Sequence, residues 1–259
     1  MLNIICPYRG RENMFLDFIQ HYRNFYPDSN IYMVEQNDDD PFKRGQLVNV
    51  IFKDLLNKNN IDNIVVIDID LRLFYKIDFE MLIEKYHSVI VPFDNILLYN
   101  IKDIGEYEKS TRTPYFQTGD KVMGGITTFN KNVFINCNGF SNLYIGWGCE
   151  DSDFINRNKI VNREKNDIFH LEHPRIVFNI KRNAMIYNNI KSDYHQDGFL
   201  QTTSSEILIK EIESQVFHYK IKNISVIPNF FYNKYIDIYI NKKPKKGIYI
   251  KNNRIYKRQ

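Results

Sequence analysis

Apolar and polar positions alternate between two periods along the first part of the chain. LNIIC (2–6) is an apolar run of strand length. Met14, Phe15, Phe18, Ile19, Tyr22 and Phe25 then recur at helical spacing. IYMVE (31–35) predicts a second strand, and FKRGQLVNVIFKDLLNK (42–58) a helix with Leu47, Val50, Ile51 and Leu55 on its buried face. NIVVID (63–68) and SVIVPF (88–93) supply a third and a fourth strand. This alternation predicts an α/β domain built on a mostly parallel central sheet. The polar, turn-rich sequence of about 95–120 predicts a loop over the sheet face. ITTFNKNVFINCNGF (126–140) predicts a strand and a short helix ending near Asn138-Gly139, and another helix is expected from Glu150.

Composition narrows the class. A chain of 259 residues, 43% hydrophobic and 25% charged, can bury a substantial core. Its net charge of +4 is too mild to imply a nucleic-acid binder. The three cysteines are widely spaced and offer no disulfide framework, which suits a reducing compartment. MLNIIC lacks the basic start of a secretory signal, and no apolar run approaches the roughly 20 residues of a membrane span. A cytoplasmic location is therefore expected. The C-terminal end differs: residues 241–259 hold eight Lys or Arg and no acid, interleaved with Ile and Tyr. The expected division is a main domain over 1–225 and a basic extension over 226–259. Such a tail is either a solvated end or a surface for anionic headgroups at the inner membrane face.

Candidate chemistry clusters where strands end. NIVVIDID places Asp68 and Asp70 after a continuous apolar run, and strand alternation would point both carboxylates the same way. Ligands of open α/β sheets bind just beyond the strands' carboxyl ends, where two carboxylates can meet a divalent cation. His170 and His173 lie three apart in IFHLEHPR. Imidazoles with a carboxylate suit Mn²⁺, with Mg²⁺ or Zn²⁺ less favoured. Arg9 and Arg11 in CPYRGREN, with Arg44 in FKRG, bring guanidinium forks to the same edge. There is no P-loop and no G-x-G-x-x-G, so a cation-bridged nucleoside diphosphate points to a nucleotide-sugar glycosyltransferase rather than a kinase or dehydrogenase. GWGCEDSD (146–153) sets the chain's single tryptophan, Trp147, between glycines and against three acids. A turn with a helix start explains the acids but not the ring.

Five motifs occur in one order: PYRGREN, VEQNDDDPFKRGQLVNV, IDID, MGGITTFNKNVFINCNGFSNLYIGWGCEDSD and HLEHPR, followed more faintly by QDGFLQTTS. Over about residues 4–205 the chain resembles the β-1,4-galactosyltransferase family, glycosyltransferase family 7. The resemblance implies a GT-A fold, a divalent ion, a UDP-sugar donor, an oligosaccharide or glycolipid acceptor and inversion at the anomeric carbon. It implies metal ligation by Asp70, His170 and His173. Donor contacts would come from Pro7, Arg9, Arg11, Phe42, Arg44, Asp68, Val122, Gly124, Gly125 and Trp147. Asp151 is implied as the catalytic base beside Glu150, with Trp147, Asp151 and Ser152 toward the acceptor. Ile145, Cys149 and Ser152 depart from the family pattern on the acceptor side. Val122 stands where galactose-specific members carry tyrosine, which would open space for an N-acetyl group and so for UDP-GalNAc. Two other readings are a chondroitin-polymerase-type GT-A transferase and a catalytically silent sugar- or nucleic-acid-binding module. The absence of a signal suggests a bacterial-type enzyme building surface polysaccharide or lipooligosaccharide.

Overall fold

The structure is a computed structural model and describes residues 1–58, 61–111, 124–158, 161–173, 175–177, 180–189, 197–227, 248–251 and 254–257. The chain begins β1 (Leu2–Tyr8), α1 (Phe15–Phe25), β2 (Asn30–Gln36), α2 (Arg44–Asn57), β3 (Asn63–Ile67). It continues through β4 (Leu71–Leu73), α3 (Phe79–Tyr86), β5 (Val89–Val91), β6 (Asn95–Asp103), β7 (Glu106–Lys109) and β8 (Ile126–Asn130). Next come α4 (Lys131–Asn136), α5 (Glu150–Arg157), β9 (Val161–Arg163), β10 (Asp167–Leu171), β11 (Arg175–Val177) and α6 (Ile180–Asn189). The last described elements are β12 (Thr202–Glu213), β13 (Val216–Val226), β14 (Ile248–Lys251) and β15 (Arg254–Lys257).

Eight strands form the main sheet in the order β12-β13-β2-β1-β3-β8-β5-β9. The block β13-β2-β1-β3 is parallel: the apolar runs predicted β1, β2 and β3, and β13, which the sequence reading did not foresee, extends them. Six of the eight strands share one direction, so the sheet is mostly parallel as expected; it is mixed because β8 runs against both β3 and β5, and β12 against β13. Apolar runs report burial on both faces and not strand direction, so the sequence did not show these reversals. The helix α2 packs on β1, β2, β12 and β13. Leu47, Val50, Ile51 and Leu55 are buried as expected, and so is every other residue from Arg44 to Phe52.

Residues 95–109 are not a loop. β6 and β7 form a hairpin in a second sheet of order β4-β10-β6-β7. Its polar positions face outward on half-buried strands while Tyr99 and Tyr107 pack on Phe169. Gly105, at φ +78, makes the turn, and that glycine between two alternating runs was the available signal. Within the basic extension, β14 pairs antiparallel with β11 and with β15.

One buried ion pair ties this second sheet to α1. Arg72 donates to Asp17 Oδ2 at 2.6 and 2.9 Å, and its remaining arm holds the carbonyls of Ile69 and Leu71 at 2.8 and 2.7 Å. Asp17 Oδ1 in turn accepts from Gly105 N and Tyr107 Oη. The guanidinium therefore fixes the backbone of the turn that carries Asp70. Replacing Asp17 by Ala strands a buried cation and is expected to cost about 3–5 kcal/mol. Urea unfolding measures this, and a loss below about 1 kcal/mol, the level of a surface pair, would show that Arg72 finds other compensation.

Candidate active site

β3 ends at Ile67, and Asp68-Ile69-Asp70 form a turn closed by Leu71 N donating to the Asp68 carbonyl at 3.0 Å. The strand alternation expected to align the two carboxylates therefore does not reach them. Each is instead gripped by a different cation. Arg44 Nε donates to Asp68 Oδ1 at 2.6 Å, and Arg11 reaches Asp70.

The second sheet delivers the imidazoles. β10 pairs with β4, putting His170 opposite Leu71, and His173 follows two residues beyond the strand's end. His173 Nε2 lies 2.8 Å and His170 Nε2 3.6 Å from Asp70 Oδ2. One ligand atom from each of the three residues falls within 4.8 Å of the other two. Ligands about 2.0–2.2 Å from one ion stand roughly 3–3.6 Å apart, a spacing close to the two Asp70–histidine separations. Burial alone would raise the pKa of Asp70, but His170, Arg11 and His173 override it and hold the carboxyl well below its ordinary range.

The GWGCEDSD loop lies against the same turn, joined to it through Arg44. The acids of GWGCEDSD begin α5 and divide into separate duties. Asp153 is fully buried and pairs with Arg157 at 2.7 Å while accepting from Tyr144, which is a structural role. Asp151 pairs with Arg44, so this one guanidinium bridges Asp151 and Asp68. Burial pushes the Asp151 carboxyl up to about 7, with Arg44 opposing and Glu150 adding to the rise. Asp68 is also raised, by desolvation and by the charges of Asp70 and Asp151 against Arg44. Glu150 is buried, and its Oε2 has no hydrogen-bond partner among the described residues. Gly124 is obligatory here, because a Cβ would stand 2.0 Å from Asp151 Oδ2. The Gly125 carbonyl accepts from Asp68 N at 2.8 Å.

Not every expected residue converges. Arg9 is tied to the Asp40 carbonyl, Pro7 is buried in β1, and Val122 lies outside the described residues. The carbonyl of Phe42, whose ring is half-buried, accepts from Gly146 N at 2.8 Å. Ser152 is half-buried on the first turn of α5, and Trp147 is 40% exposed. Cys149 takes φ +73, a left-handed conformation that suits the family's glycine. What the sequence reading missed is the scaffold beneath the loop. Asp197 accepts from Ser141 Oγ, Asn142 N and Asn142 Nδ2 at 2.7–2.9 Å. Asn49 on α2 holds Phe140 from both sides, accepting from its N and donating to its carbonyl. Asn138-Gly139 predicts a helix end, and the asparagines beside it, ahead of a later D-G, were the trace this network left in the sequence.

These features define a GT-A fold with a carboxylate–imidazole cluster at its strand ends. A structure of a Drosophila β1,4-galactosyltransferase 7 mutant, in complex with manganese, UDP-Gal and xylobiose, matches with a TM-score of 0.60 at 19% identity, over 92% of this chain and 97% of that one. The family description "N-terminal region of glycosyl transferase group 7" matches residues 1–76, and "N-terminal domain of galactosyltransferase" matches 109–188. The chain belongs to this galactosyltransferase family, glycosyltransferase family 7. Mouse (Mus musculus) β-1,4-galactosyltransferase 4 is 30% identical over 175 residues, 64% of this chain and 45% of that protein. A Lymnaea stagnalis β-N-acetyl-D-glucosaminide β-1,4-N-acetylglucosaminyltransferase is 28% identical over 163 residues, 60% of this chain and 29% of that protein. The chain thus spans less than half the length of the curated relatives it matches.

The metal set carries a direct test. Titration calorimetry with Mn²⁺ alone is expected to show one site, and His173→Ala to weaken it by at least about tenfold. Unchanged affinity in that variant would remove His173 from the ligand set.

Proposed function

We propose that the chain is a metal-dependent, inverting glycosyltransferase that moves galactose or N-acetylgalactosamine from a UDP-sugar to a saccharide hydroxyl. The observation that carries this reading is Arg44. Its single guanidinium joins the turn bearing Asp68 and Asp70 to the helix bearing Asp151, so a metal-ligand set and a base share one pocket.

Asp151 takes the proton of the acceptor hydroxyl as its oxygen attacks C1 of the donor sugar and UDP departs from the opposite side. With a pKa of about 7, Asp151 is matched to that task near neutral pH. Glu150 Oε2, buried and unpartnered, is ready to accept a sugar hydroxyl. Trp147 offers a flat apolar face to a sugar ring. Arg44 Nη2, also without a partner among the described residues, can donate to the donor, and Arg11 can turn from Asp70 toward a phosphate. A cation held by Asp70, His170 and His173 supplies charge neutralisation for the leaving diphosphate. Manganese in the Drosophila complex supports Mn²⁺ as that ion. The galactosyltransferase relatives support galactose, and the Lymnaea N-acetylglucosaminyltransferase supports room in this family for an N-acetylated donor.

One assay tests the whole reading: UDP release with Mn²⁺, comparing UDP-galactose and UDP-GalNAc, in wild type and Asp151→Asn. The variant is expected to lose about 10²–10⁴-fold in kcat/KM. The groups facing Asp151 are Arg44 from α2, Glu150 on α5 and Asp68 on the turn. Since the base must be deprotonated and its pKa is raised, wild-type kcat/KM should fall roughly tenfold per unit below pH ~7 and level off above it. Absence of metal-dependent UDP release would leave a sugar-binding module instead. Turnover with UDP-galactose alone would remove the N-acetylgalactosamine half.

The extension's basic residues support a peripheral role at the inner face of the membrane, with the acceptor carried on a lipid. No helix among the described residues is long and apolar enough to cross a membrane. Sedimentation with anionic liposomes is expected to fall when residues 241–259 are removed. Equal binding by both forms would retire the membrane role.

A further inference from the structure

We propose that the chain self-associates through β12, giving a two-fold dimer in which the eight-stranded sheets of two copies run on as one. β12 is the terminal strand of that sheet, and among the described residues nothing pairs with its outer side. Such an edge presents unpaired N–H and C=O groups and is normally short, bulged or charged to prevent pairing. β12 is 12 residues long and regular through its middle, the irregularity in its pairing with β13 lying between Glu211 and Glu213. Its centre, EILIK, is also apolar. Ile207, Leu208 and Ile209 are 36%, 65% and 46% exposed. Ile207 and Ile209 stand beside Ile221 and Tyr219 of β13, both buried, so the sheet's apolar face continues outward past the point where the core covers it. Contiguous apolar surface on a strand edge marks a protein contact.

The order of charges names the partner. A two-fold axis normal to the sheet keeps every side chain on its own face, so residues can pair only with residues an even number away. With the axis at Leu208, that residue meets its own copy, and Ile207 meets Ile209 of the second copy. Glu206 then meets Lys210 of the second copy, and the symmetry makes this pair twice. Moving the axis by one residue sets Leu208 against Lys210 or Glu206. Moving it by two sets lysine against lysine or glutamate against glutamate. Only one register is complementary, and in it the strand complements itself. Glu206 is already oriented, its Oε1 accepting from Asn223 Nδ2 at 2.8 Å.

Sedimentation velocity on the full chain over a wide concentration range tests this. Wild type is expected to shift reversibly from one to two chain masses. Glu206→Lys and Lys210→Glu each replace two attractions by two repulsions and should weaken the dimer about tenfold. The double variant carrying both changes restores opposite charges and should recover it. Both positions are exposed, so circular dichroism is expected to be the same for all four proteins. A wild type that stays monomeric, single variants that associate as well as wild type, or a double variant as weak as the singles would each overturn the proposal.

Discussion

The site depends on one guanidinium. Asp68 and Asp151 are distant in sequence and belong to different elements, and Arg44 holds both from a position only 5% exposed. Without it, Asp68, Asp70, Glu150 and Asp151 would crowd one pocket with Arg11 as the remaining guanidinium paired to them among the described residues. A lysine could not replace it, because a point charge lacks the planar fork needed to address two carboxylates at fixed angles. Arg44 is also the first residue of α2, where the helix dipole disfavours a cation. A locally unfavourable residue kept at the buried end of this helix marks a place where function overrides propensity. The pocket sets four carboxylates against two guanidiniums, so every carboxylate beyond two that ionises leaves a negative charge that a dication can balance.

The fold converts this constraint into geometry by making the strand ends rigid. The block from β13 to β3 brings the carboxyl ends of β1 and β3 to one edge, and the loop before α2 opens beside them. Arg72 then fixes the Asp68–Asp70 turn from behind by holding two of its carbonyls. Gly124 brings its backbone so close to Asp151 that any side chain would displace the carboxylate. At Cys149 the left-handed backbone persists without glycine, at a cost of about 1–2 kcal/mol. That strain sits one residue before Glu150 and two before Asp151, so the turn fixing both acids is over-determined by its surroundings.

The sequence disclosed most of the parallel block and most of the charged cluster, for the same reason. Apolar runs covered on both faces end abruptly, and the residues at those ends have no packing role to explain them. Asp70, His170, His173 and Arg11 stand at or near such ends, whereas Arg44 opens a helix and Asp151 was reached through the family resemblance. The hairpin of β6 and β7 stayed hidden because half-buried strands carry as many polar residues as a loop. The reversal at β8 stayed hidden because a buried strand reads alike in either direction. Residues such as Asn49, Asn142 and Asp197 were passed over because their work is done across long sequence separations, where local pattern has nothing to say. Even the D-x-D reading reached the right residues through the wrong geometry, since alternation ends with Ile67.

The tryptophan shows how such hidden scaffolding serves the surface. An exposed ring gains little from packing and would lose affinity if binding had to order it. Here the backbone is held on both sides of it. Gly146 N donates to the Phe42 carbonyl, and Asn183 Nδ2 donates at 3.2 Å to the carbonyls of both Ile145 and Trp147. Upstream, Asn142 is clasped by Asp197, and downstream Asp153 is locked to Arg157. Arg157 also donates to the Asp197 carbonyl at 2.6 Å, so the two anchors are parts of one network. The ring is therefore presented by a frame whose cost was met during folding. That is the physical reason a bulky residue sits between glycines: the glycines let the backbone take the path, and the buried polar network keeps it there.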